Sequence, residues 1–399
     1  MNNRLIPVIF LKAASILLLI LVPCRLFSSG EVKPGAYYTE SYLPLLEGKR
    51  VAVTGNHTSV IGKVHLVDTL ISSGVEVVRV FSPEHGFRGE AAAGEYVDSG
   101  RDPVSGVEIT SLYGTNRRPY PDQLSGIDII VFDIQDVGVR FYTYLSTMSY
   151  VMEEAAALGI PMVILDRPNP LGFYTDGPIL QKSHSSFVGL HPVPVVHGMT
   201  PGEFALMIRG EGWIENYQSS ELTVIKAGNY SRSSRYELQR PPSPNLPNMK
   251  SVYLYPTLCF FEGTRISVGR GTEKPFQVYG HSRLPASKYS YSFIPESMPS
   301  APNPPELGKQ CNGRDLSLLN AGSLKQKNSI WLDIIIEAYQ DYPDKDDFFN
   351  NFFDTLAGGP GLRSQIIRGY SAEEIKESWQ QGLKEFEALR SEYLLYPDN

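Results

Sequence analysis

Four short polar segments of the sequence carry side chains suited to acid–base chemistry. Each follows a run of apolar residues, and three of them contain carboxylates, which can donate or accept a proton at a reacting centre. Asn, Asp, Gly and Pro also favour ordinary turns, so one such segment would mean little. Four in succession predict a functional site, and they are Gly55-Asn56-His57, Ser82-Pro83-Glu84-His85-Gly86, Asp133-Ile134-Gln135-Asp136-Val137-Gly138 and Asp166-Arg167-Pro168-Asn169-Pro170.

The apolar runs before these segments predict buried strands, over residues 50–54, 75–81, 127–134 and 161–165. Helical patterns over residues 64–73 and 142–158 alternate with the strands, and the capping box Thr200-Pro201-Gly202-Glu203 opens a helix that ends near Gly210. Continuous apolar strands that alternate with helices favour a parallel sheet covered on both faces. The class predicted for this part is therefore a Rossmann-like α/β domain without a nucleotide fingerprint.

The carboxyl ends of parallel strands lie at one edge of the sheet, where ligands bind in open α/β folds. We therefore expect the four polar segments to converge there. His197, followed by Gly198 just before the capping box, fits the end of a fifth strand.

Each of these side chains also has a structural explanation. Glu84 could be a loop cap, but its place between Pro83 and His85, in a loop closed by Gly86, favours a functional carboxylate. Asp133 could hold neighbouring backbone or Arg140, and Asp166 could form an ion pair with Arg167. His57 and His85 could equally be structural histidines.

The second half of the chain is less regular. Proline-rich loops are predicted over residues 241–256 and 299–305, and helices over 330–339, 346–356 and 371–390. This pattern predicts a smaller α+β C-terminal domain over residues 215–399, after the Rossmann-like domain over 35–214. Residues 260–272 contain Glu262, Arg265 and Arg270 among Gly, Ser and Thr positions where backbone can approach a ligand.

The sequence lacks the motifs that are typical of several classes of function. The net charge of −7, without a basic stripe, argues against a nucleic-acid partner. The chain has no GxSxG nucleophile elbow, no HExxH and no CxxC, and His184, His191 and His197 lack metal-ligand spacing. We therefore predict no metal site.

The N-terminus predicts export. Arg4 and Lys12 supply positive charge, residues 13–22 are apolar but too short to span a bilayer, and small residues follow at 28–30. Residues 1–29 are thus a predicted signal peptide for an exported, periplasmic or cell-envelope protein. Leu21-Val22-Pro23-Cys24 also resembles a lipoprotein box, which leaves lipid anchoring at Cys24 as an alternative.

The polar segments, taken together and in order, resemble the exo-β-N-acetylmuramidases, a bacterial glycoside hydrolase family long catalogued as a domain of unknown function. The resemblance covers nearly everything after the leader. It includes the four segments above, and it continues through His197-Gly198-Met199-Thr200, Glu262-Gly263-Thr264, Gly269-Arg270-Gly271-Thr272 and Tyr393-Leu394-Leu395-Tyr396.

The resemblance implies a cleft between the two domains and release of N-acetylmuramic acid from the non-reducing end of peptidoglycan fragments, during cell wall recycling and without a cofactor. Glu84 is the predicted general acid, since glycoside hydrolysis needs a proton on the leaving oxygen. His85 is a further candidate catalytic residue. The second catalytic role is left open among the substrate's own 2-acetamido group and the carboxylates Asp133, Asp136, Asp166 and Glu262.

The substrate's lactyl carboxylate should meet a guanidinium, which can hold it bidentately. The predicted holders are Arg140, Arg265 and Arg270, and Tyr142 could stack on the sugar ring. The other predicted substrate-binding residues are Asn56, His57, Gln135, Asn169 and His197. A non-catalytic cell-wall sugar-binding lipoprotein is the alternative function. It would keep the arginines and tyrosines but would not need Glu84.

Overall fold

The computed structural model describes residues 30–88, 99–234 and 236–398. The predicted leader and Cys24 lie outside these residues. The elements of the first part are, in chain order, α1 (Thr39–Leu46), β1 (Arg50–Gly55), β2 (Val60–Ile61), β3 (Val64–His65), α2 (Leu66–Ser72), β4 (Glu76–Ser82), β5 (Gly100–Arg101), β6 (Glu108–Ser111), α3 (Pro121–Leu124), β7 (Ile129–Asp133), α4 (Tyr144–Ala157), β8 (Met162–Leu165), α5 (Pro201–Gly210) and β9 (Leu222–Ile225).

Seven strands form a central sheet in the order β5-β6-β4-β1-β7-β8-β9, and only β5 runs antiparallel to its neighbour. The chain moves from β1 outward to β6 and then returns to β7 on the other side of β1. Such a reversal opens a crevice at the carboxyl ends of the strands beside it. The predicted α/β class and its four strands are confirmed, as β1, β4, β7 and β8.

Both faces of the sheet are covered, and alternate residues of the central strands explain how. Ile130 and Phe132 of β7 belong to one apolar core together with α4, whereas Ile129 and Val131 belong to another with α1 and α2. Because successive side chains of a strand point to opposite faces, a strand buried on both faces is apolar throughout. This accounts for the continuous apolar runs of the sequence.

The prediction that a strand precedes His197 was wrong. Val196 makes only isolated bridges, to Val139 and to Asp176, and the parallel strand that follows β8 in the chain is β9. Pro192 and Pro194 interrupt this apolar stretch, and proline has no N–H to donate to a strand ladder. Since β9 follows residue 214, the predicted domain boundary falls before the last strand of the sheet.

The second part of the chain adds helices and a three-stranded antiparallel sheet of order β10-β12-β11. Its elements are α6 (Met249–Leu258), β10 (Val278–His281), β11 (Tyr291–Phe293), β12 (Cys311–Asp315), α7 (Ala321–Gln326), α8 (Leu332–Asp341), α9 (Lys345–Phe348), α10 (Phe352–Ala357), α11 (Gly361–Ile367), α12 (Ala372–Glu377) and α13 (Gln380–Ser391). In the part of the chain that the structure describes, none of the helices is both long and apolar enough to cross a membrane.

Three predictions in this part needed correction. The loop expected through residue 256 ends earlier, because the Asn248 side chain accepts hydrogen bonds from the backbone N–H groups that begin α6. The helix expected over 346–356 is interrupted where Phe349 pairs with Thr264. The helix expected over 371–390 is divided after α12, near Ser378, whose hydroxyl bonds to a carbonyl within the turn.

Candidate active site

A cavity of about 60 Å³ lies at the carboxyl edge of the sheet, between the loop after β4, the start of α4, the loop before α6 and residues 270–276. It brings side chains of both parts of the chain together. Four of them were predicted site residues, namely Glu84, His85, Tyr142 and Arg270. The full lining consists of Glu84, His85, Phe141, Tyr142, Thr143, Tyr144, Ser243, Asn245, Leu246, Tyr255, Arg270 and Phe276.

Glu84 is half-buried, and two hydroxyl groups surround its carboxylate. Thr143 Oγ1 lies 3.5 Å from Glu84 Oε2, and the Tyr113 hydroxyl also hydrogen-bonds to Glu84. Burial and the nearby Glu84 carboxylate raise the pKa of Tyr113, so its hydroxyl stays a donor. Hydroxyl donors on a carboxylate fix its direction.

The loop that carries Glu84 is sharply bent. His85 and Gly86 both have positive φ, of 72° and 76°. The left-handed region is unfavourable for a residue with a side chain, and such residues are frequent at functional sites. His85 is buried, so this turn directs its imidazole inward and aims the preceding Glu84 at the cavity.

Arg270 faces the same cavity from the second part of the chain. Its Nε donates to Glu262 Oε1 at 2.6 Å, and its guanidinium carbon lies 5.0 Å from the centre of the Phe276 ring. Within the described residues no hydrogen bond engages its two terminal nitrogens, and the side chain keeps 20% exposure. Arg270 can therefore present a two-pronged donor to an anion, while Glu262 and Phe276 hold it in place.

The other two predicted arginines have different surroundings. Arg140 is buried, and its terminal nitrogens donate to the carbonyls of Pro178, Val193 and Leu356. Burial lowers the pKa of Arg140 to about 9. Arg265 lies at the surface in an ion pair with Asp347. Neither of them is among the residues that line the cavity, and both donate to other groups.

Two of the predicted carboxylates are structural. Asp133 is fully buried and accepts two hydrogen bonds from Arg167, at 2.5 and 2.9 Å. The predicted partner Arg140 does not reach it. Asp166 is also fully buried, and its partners are not the expected Arg167 side chain but backbone and hydroxyl donors of Arg167, Thr200, Gly202 and Tyr396.

Asp136 differs from these two carboxylates. Its Oδ1 accepts the Gly138 backbone N–H at 2.6 Å, but its buried Oδ2 has no partner among the described residues. Burial raises the pKa of Asp136 to about 7. The carboxyl group thus holds a proton over a wide pH range, a state in which it can donate but is a poor nucleophile.

The remaining predicted residues mostly support the loops around the site. Gln135 donates to the carbonyls of Asp136 and Pro168, and Asn169 bridges Met199 and Leu171. Asn56 accepts from Thr58, and His197 packs on Phe204, with burial lowering the pKa of His197 to about 3. These contacts hold the strand ends in place, and they leave none of the four residues among those lining the cavity.

His57 links the site to the loop before α6. Its Nε2 lies 2.9 Å from the Pro241 carbonyl oxygen, so that nitrogen carries the proton and Nδ1 is left as an acceptor. Nδ1 is buried and has no hydrogen-bond partner among the described residues. Burial lowers the pKa of His57, and the neighbouring His85 lowers it further. His57 therefore stays neutral close to the Glu84 loop.

Sequence reasoning missed much of the loop that closes the cavity. The Tyr142 and Tyr144 hydroxyls both donate to the Pro242 carbonyl, at 2.6 and 3.3 Å, and so fix this loop over the start of α4. Ser243 and Asn245 of the loop line the cavity. The signal that could have found them was a Ser-Pro-Asn sequence in a stretch dominated by proline, which gives a short polar loop unusual rigidity.

Within residues 30–88, 99–234 and 236–398 no group of three His, Cys, Asp or Glu side chains could hold a metal ion. Cys259 and Cys311 are both buried thiols that form no disulfide.

Comparison with known proteins assigns both parts of the chain. Residues 51–250 match the family model described as exo-β-N-acetylmuramidase NamZ, N-terminal, and residues 253–396 match its C-terminal counterpart. The boundary between the two models thus falls after β9 and just inside α6.

Relatives of known sequence and of known structure agree. The chain is 37% identical over 372 residues to the peptidoglycan β-N-acetylmuramidase NamZ of Bacillus subtilis strain 168. The matched region covers 89% of this chain and 89% of the relative. A crystal structure of a DUF1343 family protein from Bacteroides fragilis superimposes with a TM-score of 0.85, 46% identity and 92% coverage of this chain and 100% of the other. A crystal structure of a second DUF1343 family protein from the same organism superimposes with a TM-score of 0.77 and 27% identity. It covers 92% of this chain and 99% of the other.

Proposed function

Because this chain belongs to the exo-β-N-acetylmuramidase NamZ family, it is a glycosidase that releases N-acetylmuramic acid from the non-reducing end of peptidoglycan fragments, and we propose that Glu84 is its general acid. One observation carries the assignment. Of the described residues that line the cavity, Glu84 alone has a carboxylate. Its hydroxyl partners hold it at the carboxyl edge of the sheet, where it can protonate the leaving oxygen of a bound glycoside.

The second catalytic role falls to a smaller set than the sequence allowed. The Asp133 and Asp166 carboxylates are buried and accept hydrogen bonds from neighbouring protein groups, so their role is structural. Glu262 forms an ion pair with Arg270 and therefore holds the arginine side chain in place. Asp136 and the substrate's own acetamido group are the remaining candidates for the group that assists at the anomeric carbon.

We further propose that Arg270 holds the lactyl carboxylate of N-acetylmuramic acid. Among the described residues its two terminal nitrogens have no hydrogen-bond acceptor, and the side chain lines the cavity that contains Glu84. A guanidinium anchored through Nε keeps this pair of donors in a fixed direction, which suits a carboxylate. Glucosaminides lack that carboxylate, so this contact separates the two sugars.

Arg270→Met should lower the preference for a β-N-acetylmuraminide over the matching glucosaminide by about tenfold to a hundredfold. A charge-assisted hydrogen bond is worth ~1.5–3 kcal/mol, which is the origin of this range. The measurement is the ratio of kcat/KM for the two nitrophenyl glycosides. Arg265→Met is the matched control and should leave the ratio unchanged, because Arg265 pairs with Asp347 at the surface.

Arg270→Lys separates charge from geometry, since lysine keeps the charge but offers no two-pronged donor. We expect it to recover only part of the preference. Equal turnover of both glycosides by the wild type would show that the enzyme does not recognise the lactyl carboxylate. An undiminished ratio in Arg270→Met would assign its recognition to another group.

We also propose that the protein is exported and acts in the cell envelope, where it contributes to cell wall recycling. Two facts support this. Peptidoglycan is an envelope polymer, and residues 1–29 have the charge and hydropathy pattern of a leader. The lipoprotein-like sequence at Cys24 makes lipid anchoring part of the same proposal.

The Cys24→Ser variant tests the anchor. It should move the protein from the membrane fraction to the soluble envelope fraction, because a serine offers no thiol for acylation. Cell fractionation and the mass of the mature N-terminus measure both points. Unchanged membrane association with a mature N-terminus near Ser29 would exclude the lipid anchor, and an unprocessed cytoplasmic protein would exclude export.

A further inference from the structure

One buried amide in the cavity is only half satisfied. Asn245 is 2% exposed, and its Nδ2 donates to the Ser300 carbonyl oxygen at 3.0 Å. Its backbone N–H is held by Ser243 Oγ at 3.2 Å. Within the part of the chain that the structure describes, its Oδ1 is buried and has no hydrogen-bond partner. The side chain is thus firmly placed but leaves one strong acceptor without a donor.

The orientation of this amide follows from its surroundings. Exchanging Oδ1 and Nδ2 would set two acceptors, Oδ1 and the Ser300 carbonyl oxygen, against each other. Nδ2 therefore faces Ser300 and Oδ1 faces away from it. A buried acceptor without a donor is unfavourable, so its presence beside a cavity indicates that a ligand supplies the donor.

The cavity also limits the size and polarity of that ligand group. With a volume of about 60 Å³, the cavity is small. Much of its wall is apolar or aromatic, from Phe141, Leu246, Tyr255 and Phe276. The group that fits is small, carries one N–H or O–H donor and ends in an apolar atom.

We propose that Asn245 recognises the 2-acetamido group of the substrate. The acetamido N–H donates to Asn245 Oδ1, and the methyl group packs against the aromatic wall beside Glu84 and Arg270. The inference rests on the proposed function and adds a specificity-determining residue to it. Asn245 carries no proton in the reaction. It orients the ring substituent next to the anomeric carbon.

The test compares two ligands that differ in one N–H. N-acetylmuramic acid and its 2-O-acetyl analogue, in which an ester oxygen replaces the amide N–H, are titrated into the wild type and into Asn245→Leu by calorimetry. The wild type should bind the amide about tenfold to a hundredfold more tightly, as expected for one buried hydrogen bond and its unpaired alternative. Asn245→Leu has a similar size and no acceptor, so its two dissociation constants should agree within about twofold.

Each other outcome contradicts the proposal. A preference for the amide that survives in Asn245→Leu assigns the N–H to another acceptor. Equal weakening of both ligands by the variant means that Asn245 contacts a sugar hydroxyl or shapes the cavity. A variant that unfolds is replaced by Asn245→Ala, for which the same ratio is expected. Because binding is measured without turnover, a wild type that binds but does not hydrolyse a β-N-acetylmuraminide contradicts the proposed function separately.

Discussion

Glu84→Gln should lower kcat for a peptidoglycan disaccharide by about 10²–10⁴-fold, the usual effect of removing a general acid. The amide has the shape of the carboxyl group and can still accept from Thr143 and Tyr113, but it has no proton to deliver. A nitrophenyl leaving group needs little protonation. The loss should therefore be much smaller for a nitrophenyl muraminide than for the disaccharide, and this difference identifies the missing step as proton transfer.

Glu76→Gln is the matched control for this prediction. Glu76 lies at the start of β4, the strand that leads into the Glu84 loop, and its side chain is 67% exposed and pairs weakly with Arg50. It should retain full activity on both substrates. Near-normal turnover of the disaccharide by Glu84→Gln would make Glu84 structural, and Asp136 would then be the first carboxyl group to examine.

Arg167→Met should reduce the free energy of unfolding by about 3–5 kcal/mol, as is typical when one member of a buried ion pair is removed. Arg167 and Asp133 have side-chain exposures of 2% and 0%, so the variant leaves a carboxylate in the core without its counter-charge. The pair joins the ends of β7 and β8 beside the crevice of the sheet. Urea denaturation of the purified variant measures the loss.

Two further variants separate burial from charge. Arg118→Met removes an arginine that is 45% exposed and paired with Glu153, and it should cost no more than about 1 kcal/mol. The double variant Asp133→Leu/Arg167→Met removes both charges and should be more stable than Arg167→Met alone. If Arg167→Met were as stable as Arg118→Met, the pair would contribute little to the fold.

The apolar runs predicted the sheet because each central strand is buried on both faces, a condition that leaves a mark in the local sequence. Glu84 could be predicted for a related reason, since it follows a recognisable strand. The start of α6 could not be predicted, because the prolines around Asn248 favour a loop and the sequence alone did not indicate that Asn248 caps a helix.

The roles of the arginines could not be predicted for a different reason. The partners of Arg140 lie 38, 53 and 216 residues away, and only the folded chain shows that they consume its donors. Arg270 also lies close to glycines in the sequence, yet no hydrogen bond among the described residues engages its terminal nitrogens. Asp166 was equally ambiguous, since its Tyr396 partner comes from the far end of the chain.

The bond between Tyr396 and Asp166 also has a consequence for biosynthesis. It joins residues 230 positions apart, and the Tyr396 hydroxyl additionally accepts from the Ala227 backbone N–H. At about 5–20 residues per second, a ribosome needs roughly 10–50 seconds to travel from one partner to the other. For that time the carboxyl end of β8 lacks one of its donors, so this edge of the sheet is completed only after Tyr396 has been synthesised. A deletion that removes Tyr396 would therefore take a donor away from Asp166 at the edge of the sheet.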